Sequence, residues 1–199
     1  MKYFITASSV GILTSLLLQP VYAHSFHYQV NVSPQWQTDN TGKLTAITMD
    51  WDYDPQVTSI MLEGEDLSPE HQAQTLQALT ARLIKDLAAV NYFTALQIND
   101  ETALFNEPTD IQLRIKAVDH AQRLQLHWQL PLQVASNVRG QHLTLTLADP
   151  SGTGILSYPT TDSISLPSAW HDCHLQVRAT DANEKPVPNE ITLDCTSPL

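Results

Sequence analysis

Two histidines in the run His24-Ser25-Phe26-His27 are the residues best suited to chemistry, and that chemistry depends on where the mature chain begins. A histidine at a free terminus offers its amine and its imidazole to one metal ion. The amine has a reference pKa of about 7.7–8.0, so a divalent metal displaces its proton near neutral pH. The residues before His24 supply the cut that this needs. Met1-Lys2-Tyr3-Phe4 is a positive start, Ile5 to Leu18 is mostly apolar, and Gln19-Pro20-Val21-Tyr22-Ala23 puts small side chains at the minus-three and minus-one positions. Thr6, Ser8, Ser9 and Ser15 interrupt the run, which is too short for a membrane span of about 20 apolar residues. The sequence predicts a signal peptide over 1–23, cleaved after Ala23, and a single exported domain over 24–199. No cysteine follows the cut, so no lipid anchor is expected there.

Cys173 and Cys195 are the only cysteines of the chain. An oxidising compartment outside the cytoplasm favours their pairing. Their midpoint, Glu184, lies in the turn-rich stretch Asp181-Ala182-Asn183-Glu184-Lys185-Pro186. Two strands folding back about that stretch place the cysteines opposite each other, within bridging distance. The rival arrangement is a thiolate metal site with His171 and His174. It is the weaker one, because pairing removes the thiolates. Asp50, Asp52 and Asp54 share one face of a predicted strand, with Trp51 and Tyr53 on the other. They form a weaker candidate for a hard cation, and a solvated acidic face is favoured over it. His71, His120, His127 and His142 each read as isolated surface histidines.

Ten Lys and Arg against 21 Asp and Glu give a net charge of −11, and loss of Lys2 with the leader makes it −12. So acidic a chain is a poor nucleic-acid binder, since phosphate neutralisation needs clustered cations. No nucleophile elbow, His-Glu-Xaa-Xaa-His helix or phosphate loop occurs. Catalysis is therefore not expected.

The elements that must position these residues show in the hydrophobic periods. Phe26, Tyr28, Val30 and Val32 alternate with polar residues, and Asp39-Asn40-Thr41-Gly42 turns the chain into a second strand, Leu44 to Tyr53. The same alternation runs through Ile111 to Ala117, Leu124 to Leu130, Leu143 to Leu147, Cys173 to Ala179 and Ile191 to Cys195. One segment has the helical period instead. Ser68 is a good N-cap and Pro69 fits the first helical position. Leu76, Leu79, Leu83, Leu87 and Val90 then recur at threes and fours, giving a helix of about five turns that ends near Asn91. The predicted fold is α+β: a mainly antiparallel β-sheet or sandwich with one long amphipathic helix inserted after the first strands.

Several of these segments together resemble a family of small exported proteins catalogued as domain of unknown function 1007. The resemblance rests on His24-Ser25-Phe26-His27-Tyr28, Met49-Asp50-Trp51-Asp52-Tyr53-Asp54, Ser68-Pro69-Glu70 through Asn91-Tyr92-Phe93-Thr94, Leu130-Pro131-Leu132 and Asp149-Pro150. It spans most of the chain after residue 23. Two departures stand out. Relatives typically begin with His-Pro-His, which puts both imidazoles on one strand face, whereas His24 and His27 fall on opposite faces of an extended strand. Glu63-Gly64-Glu65-Asp66-Leu67 also lacks the alternating oxygen ligands of a calcium loop. The resemblance implies the periplasmic component of an uncharacterised ABC-type transport system, associated with nickel/cobalt-efflux-type permeases.

Three functions follow as expectations. The first is a periplasmic accessory of a transition-metal transport system, binding one Zn, Ni, Co or Cu ion through His24 and His27 or docking to an inner-membrane metal permease. The second is an interaction or adaptor module that binds no metal. The third and least favoured is a histidine-brace copper oxidase built on His24. The expected location is the periplasm, with no membrane span left after cleavage.

Overall fold

Alternating apolar and polar side chains explain most of the architecture. The computed structural model describes residues 28–119, 121–158, 164–178 and 189–196. Strand β1 (Tyr28–Thr38) and strand β2 (Leu44–Tyr53) form an antiparallel hairpin, Val30 opposite Tyr53 and Trp36 opposite Ile47. Its turn is held by Asp39, whose carboxylate accepts from the Thr41 hydroxyl and from the Thr41 and Lys43 amides. Gly42 there takes φ +82°, a left-handed conformation that glycine adopts without cost.

Beyond the hairpin come β3 (Thr94–Ile98), β4 (Glu101–Ala103), β5 (Thr109–Val118), β6 (Ala121–Ser136), β7 (His142–Leu147), β8 (Gly154–Ser157), β9 (His174–Arg178) and β10 (Asn189–Asp194). They form two five-stranded sheets, ordered β5-β6-β2-β1-β8 and β4-β3-β7-β10-β9. All pairings are antiparallel except β1 with β8. The apolar faces of both sheets belong to one hydrophobic cluster, with Trp51, Trp128, Leu126 and Leu145 almost wholly buried. A buried amide links the sheets directly: Asn189 Nδ2 of β10 donates to the Leu156 carbonyl of β8.

The α+β, mainly antiparallel fold is thus present, but its helical part differs from the expectation. Two helices replace the single long one: α1 (Pro55–Leu62) and α2 (Gln72–Ala89). The chain leaves β2 directly into α1, because Asp54 Oδ1 caps the Val57 amide at 2.9 Å and Pro55 suits the first turn. Ser68 starts a turn that leads into α2, its carbonyl accepting from the His71 and Gln72 amides. At the far end Asn91, Tyr92 and Phe93 all take positive φ, near +50°, and this reversal stops the helix. Helix α2 buries Leu79 and Leu87, while Leu76 and Leu83 are only partly covered. Among the described residues, no helix is long and apolar enough to cross a membrane.

Candidate functional site

His24 and His27 lie outside the described residues, as does His120. The acidic strand is described, and each of its carboxylates has partners. Asp54 caps α1 and also accepts the Gln29 amide at 2.9 Å. Asp52 accepts from Arg123 at 3.3 Å and from the Gln125 side-chain Nε2 at 3.4 Å. Asp50 stands opposite His127 in the β2–β6 register, with Oδ1 2.7 Å from Nδ1. The other nitrogen of His127 is 3.5 Å from Asp110, at the irregular start of β5. With a carboxylate at each ring nitrogen, His127 is a strand-linking group rather than an open ligand. Each carboxylate of the acidic strand thus has a hydrogen-bonding partner on this face or at the start of α1.

The second sheet groups its histidines differently. On its outer face β10 presents Asp194 between His142 of β7 and His174 of β9, each paired with it across the ladder. Paired Cα atoms in an antiparallel sheet sit about 4.5–5.5 Å apart, so the two imidazoles rise about 10 Å from each other with the carboxylate between. Both histidines are exposed and Asp194 is half-buried. Asp194 Oδ1 accepts from the Thr196 hydroxyl and amide, which leaves Oδ2 without a hydrogen-bond partner among the described residues. Those hydrogen bonds, with the two histidines adding to them, hold the Asp194 carboxyl below its ordinary value.

The disulfide fixes this row. Cys173 and Cys195 are bridged, their Cα atoms 4.3 Å apart, and they adjoin His174 and Asp194 in sequence. The predicted pairing of strands around the cysteines is present, although the turn stretch 181–186 lies outside the described residues. Strand periodicity alone could not reveal the row, because β7 lies beside β10 in space and not in sequence. His171 is remote in character, held by Asp172 at 3.1 Å beside a short helical turn. As the side chains stand, no three His, Cys, Asp or Glu groups among the described residues converge to hold a metal ion. His142 and His174 are exposed, and a metal ion over Asp194 would require rotation of both side chains.

A cavity with an apolar lining lies between the helices and the first sheet. Its volume is about 340 Å³, aromatic side chains contribute to its walls, and among the described residues Asp86 is its one charged group. Trp51 forms its floor, stacked on Phe93 with centroids 6.1 Å apart and ring planes within 4°.

A comparison with curated proteins finds no match. The model of a family described as "Protein of unknown function (DUF1007)" matches residues 9–198, nearly the whole length. The chain that carries the histidine-flanked Asp194 and the aromatic cavity therefore belongs to the DUF1007 family of proteins of unknown function.

Proposed function

We propose that the protein is an exported, metal-binding accessory of a transition-metal transport system, acting in the periplasm beside an inner-membrane permease. One observation carries this reading: the His142–Asp194–His174 row, where two imidazoles flank a carboxylate whose Oδ2 is uncommitted. Two imidazoles and a carboxylate are a donor set for Zn, Ni, Co or Cu. Three protein ligands leave coordination positions open, which suits a protein that receives a metal and passes it on. The disulfide supports export, since such bonds persist in oxidising compartments. His24 and His27 provide a second nitrogen set if cleavage falls after Ala23.

The test is calorimetric titration of leader-free protein with Zn(II), Ni(II), Co(II) and Cu(II). Tight binding of one ion that is lost in the double variant His142→Ala/His174→Ala supports the row. Binding lost only when one residue is added before His24 moves the metal to the terminus. Absence of binding by all four ions leaves the adaptor function in its place.

A further inference from the structure

The cavity beneath α2 has features that metal handling does not use. Its aromatic walls are individually positioned. Phe93 reaches Trp51 through a left-handed turn in which Asn91, Tyr92 and Phe93 take φ of 50°, 55° and 51°. L-amino acids adopt such backbone only at a cost. The turn persists because Asn91 Nδ2 donates to the Thr94 carbonyl, Thr94 Oγ1 to the Tyr92 carbonyl and the Ala148 amide to the Phe93 carbonyl. Backbone strain of this kind gathers at ligand sites.

Tyr28 is placed as closely. Its ring lies on Gly154, where a Cβ would come within 2.6 Å of it, and its hydroxyl points to Asp149 at 3.4 Å. Asp149 Oδ2 in turn accepts the Gly154 amide at 2.7 Å. Tyr53 packs edge-on against Trp51 with centroids 6.2 Å apart. Aliphatic side chains of both helices complete the lining, and Ile60 and Val90 stand exposed beside the opening.

Charge decides what such a cavity accepts. Tyr28, Trp51, Tyr53 and Phe93 line the cavity, Tyr28 and Phe93 being the more exposed of the four, and among the described residues the one charged lining group is the Asp86 carboxylate. No Lys or Arg is among the described residues that line the cavity, so none of them favours an anionic ligand such as a fatty acid. Aromatic walls with a nearby carboxylate attract an organic cation, whose diffuse charge tolerates loss of water. About 340 Å³ lies at the small end of ligand-sized cavities. We propose that this aromatic cavity, lined by Phe93 and Tyr28 and edged by Asp86, binds a small organic cation of the quaternary-ammonium class.

Benzyltrimethylammonium is the probe, and neopentylbenzene, its uncharged isostere, is the control. Both are titrated into metal-free protein and followed by tryptophan fluorescence and by NMR shifts of the aromatic side chains. The cation should bind at least about threefold more tightly than the isostere, the increment of an exposed cation–π contact. Asp86→Asn, at an exposed helix position that leaves the fold intact, should remove most of that preference. Phe93→Leu should weaken the cation more than the isostere. Equal or tighter binding of neopentylbenzene, an Asp86→Asn variant with unchanged preference, or no binding of either probe overturns the proposal. Each result is independent of the metal titration, because the cavity and the histidine row share no residue.

Discussion

His174 faces Asp194 across the β9–β10 ladder, and their sequence neighbours Cys173 and Cys195 are covalently joined. The covalent link and the ladder thus act on the same pair of strands. Whatever Asp194 holds between His174 and His142, the bridge limits how far β9 moves from β10.

Replacing both cysteines by serine should lower unfolding free energy by roughly 3 kcal/mol, the usual effect of closing a loop of this size. Urea denaturation of the variant beside wild type measures it. Intact mass before and after reduction checks that the exported protein carries the bridge. Two free thiols in folded, exported material would contradict the structure.

Helix α2 should respond unevenly to truncation. Leu79→Ala and Leu87→Ala remove buried side chains and should each cost about 2–5 kcal/mol. Leu83→Ala, only partly covered, should cost less, and exposed Gln74→Ala should stay within about 0.5 kcal/mol. Equal losses at Leu79 and Gln74 would mean that the helix does not present this stripe to the core.

Asp54→Ala tests the helix that the hydrophobic period did not reveal. The carboxylate caps α1 through the Val57 amide and also holds the Gln29 amide of β1. Its loss should cost about 0.5–2 kcal/mol. Asp54→Asn or Asp54→Ser, which keep an acceptor for the cap, should recover most of it in the same denaturation assay.

Much of the fold was legible in the sequence. Leu124, Leu126, Trp128 and Leu130 alternate with polar residues, and they are the buried side of β6. Leu143, Leu145 and Leu147 are likewise the buried side of β7. Helix α1 escaped because Pro55–Leu62 spans only two turns, too few for the helical period to declare itself, although Asp54-Pro55 already formed a cap signal. Strands β3, β4 and β8 escaped because they are three to five residues long. The parallel pairing of β1 with β8 joins segments more than a hundred residues apart, and no local pattern encodes it.

The candidate site was less legible than the fold. His142 read as an isolated surface histidine and His174 as a weaker metal candidate beside His171, because the proximity of His142 to His174 comes from strand order, not spacing. Asp54 read as part of an acidic row because β2 was followed one residue too far. Its side chain instead belongs to the start of α1.

Acid should destabilise the protein through a defined set of carboxylates. Burial works to raise the Asp149 carboxyl, but hydrogen bonds from Ser151 and the Gly154 amide prevail and hold it low. Asp194, bonded by Thr196, is held low as well. Each is lowered in the folded state relative to an unfolded value near about 3.9. Their stabilisation is therefore complete above that pH and is lost as pH falls through the depressed folded values. Denaturation measured from neutral pH downward should show stability falling below about pH 4, and Asp149→Asn should make that fall shallower. A slope unchanged in this variant would remove Asp149 from the set.

The most direct measurement is the metal affinity of leader-free protein, compared between wild type and His142→Ala/His174→Ala. Wild type should bind one Zn(II), Ni(II), Co(II) or Cu(II) ion, with affinity that weakens in acid because protons compete with the metal for its ligands. The double variant should bind at least about tenfold more weakly, the loss of two of three ligands. Its far-ultraviolet spectrum and denaturation midpoint should match wild type, since both histidines are exposed. Equal affinity in the two proteins, or a wild type that binds none of the four ions, would contradict a metal site on Asp194.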